Sequence, residues 1–169
     1  TVERSVNLFL SSTDNVVVSG QLLHSLFFSY MKNLYNSKLG RVLRHSLLLL
    51  LYRKEFTFKN LRKVLMEVEY RDKLLKEELP DSVITFFLTD FVELKNRYYN
   101  EAIAPILSFL DEMELISVFQ QEDVDVPSLQ EVIQKNFLTL FSLNRTILGE
   151  NSVRTIAGLI MQQLMTLIQ

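Results

Sequence analysis

Cysteine and tryptophan are absent from the 169 residues, and glycine and proline are scarce at four and three. Without cysteine there is no disulfide framework and no thiolate metal site. With so little glycine and proline, collagen-like and linker-like chains are excluded as well. Long apolar runs are missing too. The longest covers residues 47–51, between Arg44-His45 and Arg53-Lys54, far short of the ~20 residues of a membrane-spanning helix. The opening Thr1-Val-Glu-Arg has no basic region followed by an apolar one, so no secretory leader is visible. Charge of one sign is not in excess: 18 Lys+Arg stand against 20 Asp+Glu, a net −2, which gives no whole-chain attraction to nucleic acid or an anionic membrane. What is there is 48% hydrophobic and 22% charged, enough for one globular domain with its own core. The chain reads as cytosolic. Opening on Thr and stopping on Gln169 within an apolar-periodic stretch, it also reads as a piece of something larger.

Charge is unevenly placed along the chain. Residues 41–78 hold ten Lys or Arg against six acids, a local +4, and residues 81–131 hold eleven acids against Lys95 and Arg97, a local −9. Two solvated faces are the plain explanation, and a docking surface of one sign the more specific one. Glu112, Glu114, Glu122, Asp123 and Asp125 are the candidates for binding a basic protein or basic segment. Arg53, Lys54, Lys59, Arg62 and Lys63 are the candidates for nucleic-acid phosphates, with few enough charges that such binding would be weak and sequence-independent.

Apolar spacing of 3.6 residues predicts a helix over 20–35 and a leucine-rich central helix over 39–52, broken from the first at Asn36-Ser37. Thr57 suits an N-cap for a short helix carrying Phe58, Leu61, Val64 and Leu65. A further helix is expected over 70–78, ended by Pro80, after which Asp81 or Ser82 can cap one bearing Val83, Phe86, Phe87 and Phe91. Pro105 either kinks a long helix or lies in the first turn of a new one. Glu122-Asp-Val-Asp-Val-Pro127 reads as an acidic loop, and Ser128-Leu-Gln-Glu131 as a capping box. Asn136-Phe-Leu-Thr-Leu-Phe-Ser-Leu143 is apolar, β-forming and short, and reads over 137–143 as a buried strand. Residues 5–10 and 15–19 are weaker strand candidates. A helix is expected from about Ser152 to the end.

Catalytic constellations are not evident. His24 and His45 stand on separate apolar helices with no second ligand at i+4, so each reads as a core or surface histidine. Ser11-Ser12-Thr13-Asp14 lacks a basic partner and a glycine elbow, and reads as a turn or cap. Phenylalanines 27, 28, 86, 87 and 91 fall at helical spacing and read as core rather than a base-stacking platform.

Several segments in order, Glu55-Phe-Thr-Phe-Lys-Asn-Leu-Arg-Lys-Val-Leu65, Tyr70-Arg-Asp-Lys-Leu-Leu75, Arg97-Tyr-Tyr-Asn-Glu-Ala-Ile-Ala-Pro-Ile-Leu107, Val118-Phe-Gln-Gln121 and Leu148-Gly-Glu150, resemble the helical domain of type IV secretion coupling proteins and their HerA-like relatives. The resemblance spans 33–169 and rests on degenerate, mostly apolar motifs. It implies a mainly α fold: a multi-helix, all-alpha bundle with a small strand-loop-helix portion of a RecA-like α/β ATPase core at the C-terminus. The implied division is an N-terminal segment with possible strands (1–20), a helical domain (21–122) and a return to the motor core (123–169). The implied role is recruitment of a secretion substrate or its adaptor protein, with DNA as a possible second ligand, for delivery to the secretion channel. ATP, Mg²⁺ and a hexameric assembly would belong to the full-length ATPase, placed at the cytoplasmic face of the bacterial inner membrane by parts outside this chain. Gly-x-x-x-x-Gly-Lys-Ser/Thr does not occur in the sequence and no segment read as a strand ends in Asp-Glu, so no catalytic residue, cofactor or metal ligand is expected in this chain and it should not hydrolyse ATP alone. Two alternatives stand beside this reading: the helical domain of a HerA-like DNA translocase in repair or phage defence, and a stand-alone helical adaptor.

Overall fold

The computed structural model describes residues 16–76, 78–114, 129–135 and 138–168, and these are mainly helical. The order is α1 (Val16–Tyr30), α2 (Ser37–Tyr52), α3 (Phe58–Met66), α4 (Val68–Leu74), α5 (Asp81–Leu88), α6 (Asp90–Arg97), α7 (Tyr99–Ala102), α8 (Ala104–Glu114), α9 (Leu129–Lys135), α10 (Arg145–Leu148) and α11 (Glu150–Ile168). The expectation of a mainly α, multi-helix bundle is met, whereas the strand of the expected C-terminal strand-loop-helix portion is not seen: no strand occurs among the described residues.

The central helix is α2, which packs against α1, α3, α5, α6, α7 and α8. Its leucines explain that position: Leu39, Leu43, Leu47, Leu49 and Leu50 are wholly buried, each a gain of about 1.5–3 kcal/mol over exposure. Asn36 starts it in extended backbone, its Oδ1 accepting from the amides of Lys38 and Leu39 at 2.9 and 3.0 Å. The same side chain donates from Nδ2 to the carbonyl of Glu101 at 2.9 Å. One residue therefore caps α2 and ties it to α7. At the other end, Lys54 N–H donates to Leu51 O and Glu55 N–H to Leu50 O, both at 3.0 Å, the reciprocal pair of a Schellman ending. Lys54 takes the left-handed conformation (φ 55°) that this ending requires and that glycine usually supplies.

Aromatic rings fill two parts of the core. Phe27 of α1, Phe58 of α3 and Phe109 of α8 meet with centroids 4.7–6.1 Å apart, and Phe86, Phe87 and Phe91 form a second group joining α5 to α6. Four of the five phenylalanines read as core are buried; Phe28 is exposed and rests its ring on Tyr35 at 4.7 Å. Thr57 caps α3 as expected, with its side chain accepting from Asn60 N–H. Pro105 occupies the first turn of α8, and Gly149 spans the break before α11 at φ 79°.

Three expectations are corrected. Residues 16–19 are helical, the start of α1. The helix over 70–78 lies earlier, at Val68–Leu74, since Arg53 reaches across and satisfies Leu74 O through Nε and Nη2 at 2.8 and 2.6 Å. Residues 138–143, read as a buried strand, form neither helix nor strand, and Leu138 and Leu140 are 71% and 79% exposed. A buried strand needs a neighbour to pair its backbone, and none stands beside this segment among the described residues. The strand candidate 5–10, the Ser11–Asp14 turn, the acidic loop 122–127, the Ser128 cap and Phe137 itself lie outside the described residues.

Candidate functional site

The basic and acidic halves of the sequence are brought against each other. Arg62 on α3 donates through Nε to Glu114 at 2.7 Å and through Nη2 to Asp111, two acids three residues apart on one face of α8. Arg41 on α2 pairs with Asp90, which begins α6, and Lys38 with Glu101 of α7 at 2.6 Å. Glu112 accepts from the hydroxyl of Tyr30. Part of the charge split is a seam between helices at the surface, with each exposed pair contributing at most about 1 kcal/mol.

Of the acidic candidates, Glu112 and Glu114 are engaged in this way, and Glu122, Asp123 and Asp125 lie outside the described residues. The basic candidates do not form one surface patch of unengaged cations. Arg53 serves the end of α4, Lys63 stands 5.4 Å from the Tyr70 ring, and Lys54 closes α2 through its backbone with its side chain exposed. Arg62 belongs to the seam, and Lys59 has a partner of its own. Tyr70 donates to Glu55 at 2.9 Å, and burial together with that carboxylate raises its phenol well above the ordinary range.

Two cations not singled out in the sequence share one end of α3. Arg71, buried, donates to Val64 O at 2.8 Å, and Lys95 donates to Leu65 O at 2.8 Å. Both lie against Phe91, at 4.7 and 6.0 Å from its centroid. They neutralise the negative end of the helix. Burial, then the charge of Arg71, lowers the pKa of Lys95. Lys95 was legible as one of only two cations in the acidic half, but nothing in its spacing announces a helix end thirty residues earlier.

Between α1 and α2 lies a cleft of about 570 Å³, lined among others by Val17, His24, Tyr35, Arg41, Arg44 and Leu48. Glycine makes it: a Cβ on Gly40 would stand 2.2 Å from the Tyr35 hydroxyl, so only glycine lets that ring fold over α2. His24 Nε2 and Tyr35 Oη are 2.7 Å apart. Burial, and after it the nearby Arg44 charge, holds His24 below its ordinary 6.5, so its ring is neutral near pH 7 and shares one hydrogen bond with the Tyr35 hydroxyl. His45 is likewise lowered, chiefly by burial; it stacks on Phe86 at 4.0 Å and donates from Nδ1 to Arg41 O.

The last feature is apolar. Leu138, Leu140 and Phe141 are exposed together, while Leu143 turns back onto the core. Among the described residues no three His, Asp or Glu side chains stand close enough to share a metal ion, and no helix is long and apolar enough to cross a membrane. No family model matches the chain, and no curated protein and no solved structure matches it either.

Proposed function

We propose that this chain is a helical protein-docking module and that residues 138–143 engage its partner. The observation that carries the reading is the joint exposure of Leu138, Leu140 and Phe141 in a segment that is neither helix nor strand. Scattered apolar residues on a surface are ordinary, but three within four positions mark a contact surface. A β-forming stretch without a ladder of its own is suited to add as a strand to an exposed sheet edge, where main-chain hydrogen bonds give affinity and alternate side chains give specificity.

The resemblance to the inserted helical domain of coupling ATPases gives the reading its specific form. In that form the chain recruits cargo protein or its adaptor, with DNA as a second ligand, for a secretion motor, and 138–143 completes a strand of the motor's α/β core. A stand-alone adaptor is the second reading. It is favoured by α11, whose Ile156, Leu159 and Ile160 join the same core as α1 to α8 and whose Gly158 lies beneath Leu26 of α1.

Photocrosslinking from position 140 in cells, with position 88 as an exposed control, tests the proposal. A defined adduct from 140 is expected, and rebinding of the purified partner should be lost in the combined Leu138→Ser, Leu140→Ser, Phe141→Ser variant. An adduct to an α/β domain of the same polypeptide favours the motor form, and one to a separate protein favours the adaptor. Equal labelling from 88 and 140, or unchanged rebinding by the triple variant, contradicts the proposal.

A further inference from the structure

We infer that the cleft between α1 and α2 binds a small organic carboxylate with an apolar body. Charge complementarity is the first argument. The cleft is lined by Arg41 and Arg44 and by no acid among the described residues. Arg41 is already paired with Asp90, whereas Arg44 has no ion pair or hydrogen bond within the described chain. It is exposed, and its charge is felt by both His24 and Tyr35 across the cleft. A planar guanidinium without a partner is matched to a carboxylate, which it can hold through two parallel N–H donors.

The walls supply the rest of the selection. Val17, Gly20, Gly40 and Leu48 give the cleft an apolar lining, to which Gln21, Ser25 and Ser37 add uncharged polar atoms. At about 570 Å³ the space lies within the range of small-molecule sites. An inorganic anion would leave that apolar lining wet, and an uncharged apolar molecule would gain nothing from the Arg44 charge. A carboxylate carrying a short aliphatic chain satisfies both. The Tyr35–His24 hydrogen bond is internal to the wall, so it sets the shape of the cleft and leaves Arg44 as the anion's donor.

The test is calorimetric titration of the whole chain with octanoate, 1-octanol and inorganic phosphate in parallel, with the His24 ring resonances followed by NMR. Octanoate is expected to bind one-to-one with a dissociation constant in the millimolar range or tighter and to shift the His24 resonances; octanol and phosphate should bind at least about tenfold more weakly. Arg44→Gln should weaken octanoate by about tenfold or more with an unchanged melting temperature, since the side chain is exposed. Arg44→Lys, which keeps the charge and loses the fork, should fall between. Octanol binding as tightly as octanoate, phosphate binding as tightly as octanoate, no saturable octanoate binding, or an Arg44→Gln variant with unchanged affinity would each overturn the assignment.

Discussion

Two leucine-rich runs of similar length meet opposite fates in this molecule. Residues 47–51 lie in a capped helix surrounded by α1, α3, α5, α6, α7 and α8, and Leu47, Leu49 and Leu50 lose all contact with water. Residues 138–143 lie between α9 and α10 without a ladder or helix, and Leu138 and Leu140 remain mostly exposed. Apolar content alone does not decide burial. In the first run the helix satisfies the backbone and lets neighbours close over Leu47, Leu49 and Leu50, whereas in the second an unpaired backbone would have to be buried along with the side chains.

Substitution should separate the runs most strongly. Leu47→Ala is expected to cost about 2–5 kcal/mol through the lost burial and the cavity, while Leu140→Ala should stay within about 0.5 kcal/mol. Denaturant titration of both variants checks this, and a loss above about 2 kcal/mol at position 140 would break the contrast. The seam that holds α8 over α3 is weaker. Arg62→Gln should cost about 1 kcal/mol and reduce the salt sensitivity of unfolding, since this half-buried guanidinium serves two carboxylates. An unchanged salt dependence would show that the seam does not contribute.

Lys54→Gly should stabilise the chain by about 0.5–1 kcal/mol, because the left-handed ending of α2 strains a lysine and not a glycine. A destabilised variant would mean that the Lys54 side chain is itself held at the surface. The smallest effect is a slope with pH. His24 and His45 are held below 6.5 by burial in the fold, so the unfolded chain binds protons that the folded chain does not. Stability should therefore be full above about pH 6.5 and decline as pH falls from there towards 5. The decline should be shallower in His45→Gln, as read from thermal unfolding at several pH values.

Much of the bundle was legible. Leucine periodicity located α2, Asn36-Ser37 marked the break before it, Thr57 announced its cap, and Pro105 was accounted for by the first turn of α8. What failed was information carried by distant residues. The end of α4 is fixed by Arg53 from another helix, and the pairing of Arg62 with Asp111 and Glu114 joins positions about fifty residues apart. Local charge sums could show two signs but not that the two would be laid against each other. The 138–143 segment misled for a related reason. Its β-forming composition expresses what the backbone could do beside a sheet, and within the described residues no sheet is present. The cleft was out of reach because its glycine, Gly40, reads in sequence as a weak point of a helix rather than as room for Tyr35.

The contrast between the two runs is tested most directly by amide hydrogen exchange on the intact free chain, comparing 47–51 with 138–143 in one experiment. The account predicts that amides of 47–51 exchange only through global unfolding and that those of 138–143 exchange near the rate of an unstructured peptide. Protection at 138–143 comparable to that at 47–51 would contradict it, because a segment already buried and paired within the chain has no apolar surface left to offer a partner.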